Sequence, residues 1–224
     1  MRIGLLADIH VDLNYTDDGE DFITPAVCDS ILNNNLDVFI TAGDLSDDYE
    51  LSLNLVKRIE KITGRGCLFV PGNHDLFTGN HPNLSSLEIY NLMQEHPHNL
   101  SNGPIKLKEG WNAVGDTCWF DGSFLPDIQT KGSRLWDKSD REMCTWFEQR
   151  LEEAFAESNG DNLIAVSHMV PIIDFTRPGK ELEAGSIGLG ELLASCKNVK
   201  YSVCGHVHGR NEIKKDETVF ICQS

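Results

Sequence analysis

The chain has 224 residues, 40% of them hydrophobic, with 35 acidic against 19 basic side chains and a formal net charge of −16. That length supports one sizeable core, most simply a single domain over residues 1–224. A surface so negative repels phosphate backbones and anionic lipid, so neither long nucleic acid nor a membrane is expected as a partner, and no apolar run approaches the roughly 20 residues needed to span a bilayer.

In chain order, short apolar runs bounded by turn residues recur as candidate strands: IGLLA from Ile3, DVFITA (37–42), GCLFV (66–70), NAVGDTCWF (112–120), NLIAVS (162–167), VKYSVC (199–204) and TVFIC (218–222). Helical patterns fill residues 21–34 and DYELSLNLVKRIEKI (48–62), so the first third predicts parallel strands with right-handed crossovers. A long amphipathic helix is expected over 139–158, opened by Ser139 as N-cap, and a shorter one over 189–196. Strands in 104–120 and 211–222 lack an intervening helix and read as antiparallel. The fold class is mixed α/β (α+β). Two long loops, 76–87 and 172–188, are candidates for functional segments.

Seven cysteines are scattered without a C-x-x-C spacing, which predicts free thiols in a reducing compartment and mostly core packing. No signal-peptide pattern precedes the first strand, so a soluble, cytoplasmic protein is expected.

The strands end alike. The first stops at Asp8 and His10, the second at Asp44, the third at Asn73, His74 and Asp75, the 162–167 strand at His168, and the 199–204 strand at His206 and His208. In a largely parallel sheet these carboxyl ends share one edge, where ligands bind. Two residues apart, the side chains of DIH and of HVH lie on one side of an extended segment. Gly43, Gly72 and Gly205 permit tight turns before the ligands. Two carboxylates, an amide and four imidazoles suit Mn²⁺, Fe or Zn²⁺ better than Ca²⁺ or Mg²⁺. Seven ligands exceed one ion's needs and suit two ions sharing a carboxylate.

Taken singly, each fragment has an ordinary explanation. AGD is a common strand end whose Asp44 caps a helix, and PGNHD is built from turn formers. Order and placement on five separate strand ends outweigh those readings. His81, His96 and His98 fall outside the fragments and read as surface residues.

The ordered set D-x-H, G-D-x-x-D, G-N-H-D, a lone strand-end His and G-H-x-H, spanning Asp8 to His208, resembles the calcineurin-like metallophosphoesterases. The resemblance implies a two-sheet sandwich flanked by helices, with two divalent ions, Mn or Fe first and then Zn, at the strand ends. It implies Asp8, His10 and His208 on one ion, Asn73, His168 and His206 on the other, and Asp44 bridging. His74 is then the catalytic histidine and Asp47 its orienting carboxylate, with Asp75 as the alternative. Members of the family often continue past the last strand with an Asn-Pro-Gly-Ser-like turn, whereas this chain stops at ICQS.

The implied reaction is hydrolysis of a small phosphate mono- or diester by a hydroxide held between two ions, with His74 donating a proton to the leaving oxygen. A scaffold that has lost its chemistry should show broken ligands, and none is broken. A dinucleotide-binding reading fails because ADIHVDLN contains no G-x-G-x-x-G. The competing enzyme is a nuclease or nucleotide phosphodiesterase of the same superfamily, which needs a basic face. A protein phosphatase should carry arginines where Ser46, Asp48 and Leu76 stand. Arg134, Arg177, Lys180 and Arg210 are candidate phosphate-binding cations. Trp119, Phe120 and Phe124 form either an aromatic wall or part of the core.

Overall fold

The structure, a computed structural model, describes residues 1–14, 21–128 and 135–224. Two sheets face each other. The first holds β1 (Ile3–Leu6), β2 (Val38–Ala42) and β3 (Gly66–Val70), all parallel, with Ile3 opposite Val38 and Val38 opposite Gly66. The second has the order β4-β5-β6-β7-β9-β8, from β4 (Ile105–Lys108), β5 (Trp111–Asp116), β6 (Asn162–Ser167), β7 (Val199–Cys204), β8 (Arg210–Lys215) and β9 (Thr218–Gln223). β5, β6, β7 and β9 run parallel, while β4 and β8 are antiparallel edges. The helices are α1 (Ile23–Asn33), α2 (Tyr49–Thr63), α3 (Ser86–Gln94), α4 (Asp140–Glu157) and α5 (Ile187–Ser195). This is the helix-flanked two-sheet architecture that the motif set implies.

The two-residue period of the strands divides the core into layers. Ile40 and Ala42 of β2, Leu68 and Val70 of β3, and Ile164 and Val166 of β6 meet between the sheets. Their neighbours Phe39, Cys67, Phe69, Leu163 and Ala165 pack with the helices. Because both faces are covered, these strands read as continuous apolar runs. Asp48 caps α2 through the backbone N–H groups of Glu50 and Leu51, and Gly64 ends that helix in the left-handed region at φ 65°.

Some boundaries differ from the expectation. The 112–120 run is strand only to Asp116, after which the chain turns toward the site. Helix α3 begins inside the stretch read as loop, opened by a capping box of Ser85 and Glu88 that the sequence displays. Ser139 caps α4 with Glu142 in the same way. All seven thiols are free, and all but Cys196 are buried. No helix among the described residues is long and apolar enough to cross a membrane.

Candidate metal centre

Five strand ends deliver the polar residues to one place. Asp8, His10, Asp44, His206 and His208 all turn in the left-handed region, at φ 53°, 42°, 52°, 71° and 49°. Each such turn costs a non-glycine residue on the order of 1 kcal/mol or more. Strain concentrated at one edge marks that edge as functional. The turns also need close backbone approach. A Cβ on Gly72 would lie 2.2 Å from Asp44 Oδ1, and one on Gly205 would lie 2.7 Å from Asp8 Oδ2.

Asp44 sits at the centre, 1% exposed. Its Oδ1 accepts the His74 backbone N–H at 2.9 Å. Its Oδ2 lies 3.3 Å from His168 Nε2, 3.9 Å from His10 Nε2 and 4.0 Å from His74 Nε2. On one flank, Asp8 accepts the His206 backbone N–H at 3.0 Å on both oxygens, and its Oδ1 lies 3.5 Å from His208 Nε2. The His10 and His208 rings stand 5.5 Å apart. On the other flank, His168 Nε2 lies 3.0 Å from Asn73 Oδ1 and 3.2 Å from His206 Nδ1. The seven residues named as ligands therefore fall into two groups, Asp8–His10–His208 and Asn73–His168–His206, with Asp44 between them.

The donor set fits cations. Among the described residues, neither ring nitrogen of buried His10 has a hydrogen-bond partner, and a buried unpaired imidazole is unfavourable unless something else occupies its lone pair. In the second group the outer nitrogens are fixed: His168 Nδ1 donates to Ala42 O at 2.8 Å and His206 Nε2 to Glu183 O at 3.0 Å. The inner nitrogens, Asn73 Oδ1 and Asp44 Oδ2 then converge, the usual outer-hydrogen-bond arrangement of ligating histidines. Burial lowers the His168 pKa, but Asp44 and Asp8 outweigh it and raise it to about 9. Burial and the His168 charge push His206 down to about 4. Burial alone would raise the Asp44 pKa, and His168 and His74 instead hold its carboxyl well below the usual range. One proton on His168 thus stands where several acceptors meet, and a cation satisfies all of them at once.

His74 lies beside this cluster with its side chain 34% exposed, and its Nδ1 is 2.6 Å from Asp47 Oδ1. That contact puts Asp47, and not Asp75, against the His74 ring. Asp75 is fully buried and turns away, accepting from Leu45 N (3.0 Å), Ser46 N (3.1 Å), Gly72 N (2.7 Å) and Ser52 Oγ (2.5 Å). It ties the β2 and β3 loops together, a task that the turn-like PGNHD does not reveal.

The three outlying histidines are not surface residues in the sense expected. His96 is buried, His98 is half-buried beside Glu60, and His81 lies 3.3 Å from Asp48. His96 Nδ1 accepts the His98 backbone N–H at 3.2 Å, which places its proton on Nε2, facing Glu60. That trio is a hydrogen-bonded clamp; a neutral His96 has no lone pair for an ion there. Arg177 and Lys180 border the site, Arg210 is exposed on β8, and Arg134 lies outside the described residues. Trp119, Phe120 and Phe124 are all buried, though Trp119 and Phe120 also line a hollow beside Asn73.

A Helicobacter pylori protein described as an uncharacterized metallophosphoesterase is 31% identical over 178 residues, 75% of this chain, and the chain spans 44% of that relative's length. The phosphopantetheinyl hydrolase of Mycobacterium tuberculosis superposes with a TM-score of 0.66 at 19% identity, covering 98% of this chain and 87% of that one. A dimetal phosphatase from Danio rerio does so with a TM-score of 0.60 at 13% identity, covering 98% and 86%. At such identities the two structures attest the fold alone. The profile of the calcineurin-like phosphoesterases matches residues 1–210, and the chain belongs to that family.

Proposed function

We propose that the protein hydrolyses a small phosphate mono- or diester at a centre for two divalent ions, Mn²⁺ or Fe first and Zn²⁺ next. The observation that carries the reading is Asp44 Oδ2, within 3.3–4.0 Å of ring nitrogens delivered by three different strand ends. Asp8, His10 and His208 would hold one ion, Asn73, His168 and His206 the other, with Asp44 shared. Two such ions lower the pKa of a water and draw charge from phosphate oxygens.

The chain's own residues do the rest. Asp47 holds His74 by its Nδ1, so an imidazolium at that place would present its Nε2–H to the leaving oxygen and give it a proton. The backbone N–H of His74 holds Asp44 Oδ1 and leaves Oδ2 for the centre. The ring hydrogen bonds to Ala42 O and Glu183 O keep the ligating nitrogens turned inward.

The test is a panel of phosphate mono- and diesters, with and without Mn²⁺. Hydrolysis abolished by a chelator and restored by Mn²⁺ is expected. Protein holding two equivalents of metal that cleaves no phosphate ester would refute the reading.

A further inference from the structure

Two hollows share His206 and Glu183 in their walls, and their chemistry differs. One, of about 250 Å³, is lined by Asn73, Phe77, Trp119, Phe120 and Leu135. Trp119 and Phe120 stack at 5.0 Å with 24° between planes, and Trp119 Nε1 donates to Asp140 at 2.9 Å, so this wall is rigid. Phe77 packs its ring 4.6 Å from that of His74. The other hollow, of about 410 Å³, is lined by Arg177, Lys180, His206 and His208, with Glu183 at the edge shared with the first. Arg177 donates to the His208 backbone O, which anchors the loop against the centre. Among the described residues, carboxylates pair with Arg58, Lys106, Arg150, Lys200 and Lys215, but not with Arg177 or Lys180.

We propose that the substrate is a phosphodiester with two unlike arms: a planar, apolar leaving alcohol held against Phe77, Trp119 and Phe120, and a second phosphate on the retained arm, held by Arg177 and Lys180. The assignment of arms follows from His74. The proton donor shares its contact with Phe77, so the oxygen it protonates departs on the apolar side. Water adds to phosphorus and gives up one proton to solvent, the P–O bond to the planar alcohol breaks, and that oxygen takes a proton from His74, which solvent then replaces. The retained arm leaves as a monoester that still carries its second phosphate. A polarised aromatic face accepts planar groups of many kinds, whereas two cations against the single Glu183 carboxylate favour a dianion in a way that a neutral arm does not match.

The proposal rests on the phosphoesterase reading and is tested with esters sharing one reactive bond. Phenyl ethyl phosphate and phenyl 2-phosphonoethyl phosphate differ only in a non-hydrolysable second anion on the retained arm. The Mn²⁺-loaded protein should favour the phosphonoethyl ester in kcat/KM by about tenfold or more, the scale of one charge-assisted hydrogen bond. Lys180→Glu should cut that preference about tenfold, through KM, and Glu183→Gln should widen it. For the other hollow, Phe77→Leu keeps apolar contact on His74, and should lower the preference for phenyl over fluoroalkyl leaving groups of matched acidity. Equal kcat/KM for the two retained arms, or a preference indifferent to Lys180→Glu, would overturn the anion subsite. A preference for phenyl unchanged in Phe77→Leu would overturn the apolar one. Hydrolysis of neither ester by metal-replete protein that cleaves a phosphate monoester would overturn the diester assignment, and cleavage of no phosphate ester at all would instead remove the phosphoesterase reading beneath it.

Discussion

His168 and His206 meet nitrogen to nitrogen, with His168 Nε2 lying 3.2 Å from His206 Nδ1 and Asn73 Oδ1 3.0 Å from the same His168 nitrogen. Their opposite ring nitrogens are spoken for by Ala42 O and Glu183 O. Neither ring can turn away without losing a hydrogen bond, so His206 Nδ1 and Asn73 Oδ1 are both held against one His168 nitrogen. A protein keeps such an arrangement where a cation relieves it.

The pairing of His74 with Asp47 bears directly on the reaction. His74→Ala should lower the turnover of an alkyl ester by roughly 10²–10⁴-fold, the usual range for a general acid. Asp47→Asn should give a smaller loss, because the ring stays but its orientation and charge lose support. Both losses should shrink for nitrophenyl esters, whose leaving groups need less protonation. Equal losses across leaving groups, measured by steady-state kinetics, would remove the acid role.

Asp75 binds the loops on which Asp44 and Asn73 stand. Asp75→Asn turns an amide N–H toward the donors of Gly72 or of Leu45 and Ser46. A buried donor left facing a donor costs about 1–3 kcal/mol. Urea denaturation of the metal-free variant should show that loss, and unchanged stability would mean the loops are held by something else.

Buried Asp116 pairs with half-buried Arg150, Nε to Oδ2 at 2.8 Å, with Tyr90 Oη donating to the same carboxylate at 2.8 Å. Burial raises the Asp116 pKa, and Arg150, Tyr90 and the Thr117 N–H pull it back only part of the way. The folded protein therefore binds the proton more tightly than the unfolded chain, and this group's contribution declines as pH rises above about 4. Arg150→Met leaves the carboxylate buried without its cation, at about 3 kcal/mol near pH 7. The deficit against wild type should narrow as pH falls, because the buried carboxyl takes up a proton more readily than an ordinary carboxylate. A deficit independent of pH would locate the effect in lost packing on Trp146 and Tyr90.

Much of this was legible because each candidate ligand fragment sits where an apolar run stops, and strand ends of parallel sheets share an edge. Asp8 and His208, two hundred residues apart, could be joined on that argument alone. The role of Asp75 was not legible, since a carboxylate that knits loops and one that orients an imidazole look alike in PGNHD. His96 was misplaced because a histidine before Pro97 reads as a turn, while its burial depends on packing against Phe69, whose ring lies 5.5 Å away. Helix α3 was missed although Ser85 and Glu88 spell a capping box; the preceding run of Gly, Asn and Pro dominated the reading. The split into an apolar and a cationic hollow depends on how two loops fold over the centre, which no local pattern carries.

The net charge of −16 sets a further expectation. A small bis-ester should be cleaved faster than linear plasmid under the same Mn²⁺ conditions, because non-specific DNA affinity requires cations on a common face. Faster plasmid cleavage with a steep inverse dependence on salt would favour the nuclease.

The most direct test of the account is a count of metal. Elemental analysis of protein loaded with Mn²⁺ and freed of excess should give two equivalents per chain. Asp44→Asn, which removes the shared carboxylate and keeps its shape, should lower that figure. One equivalent in the wild type, unaltered by Asp44→Asn, would contradict a centre built for two ions.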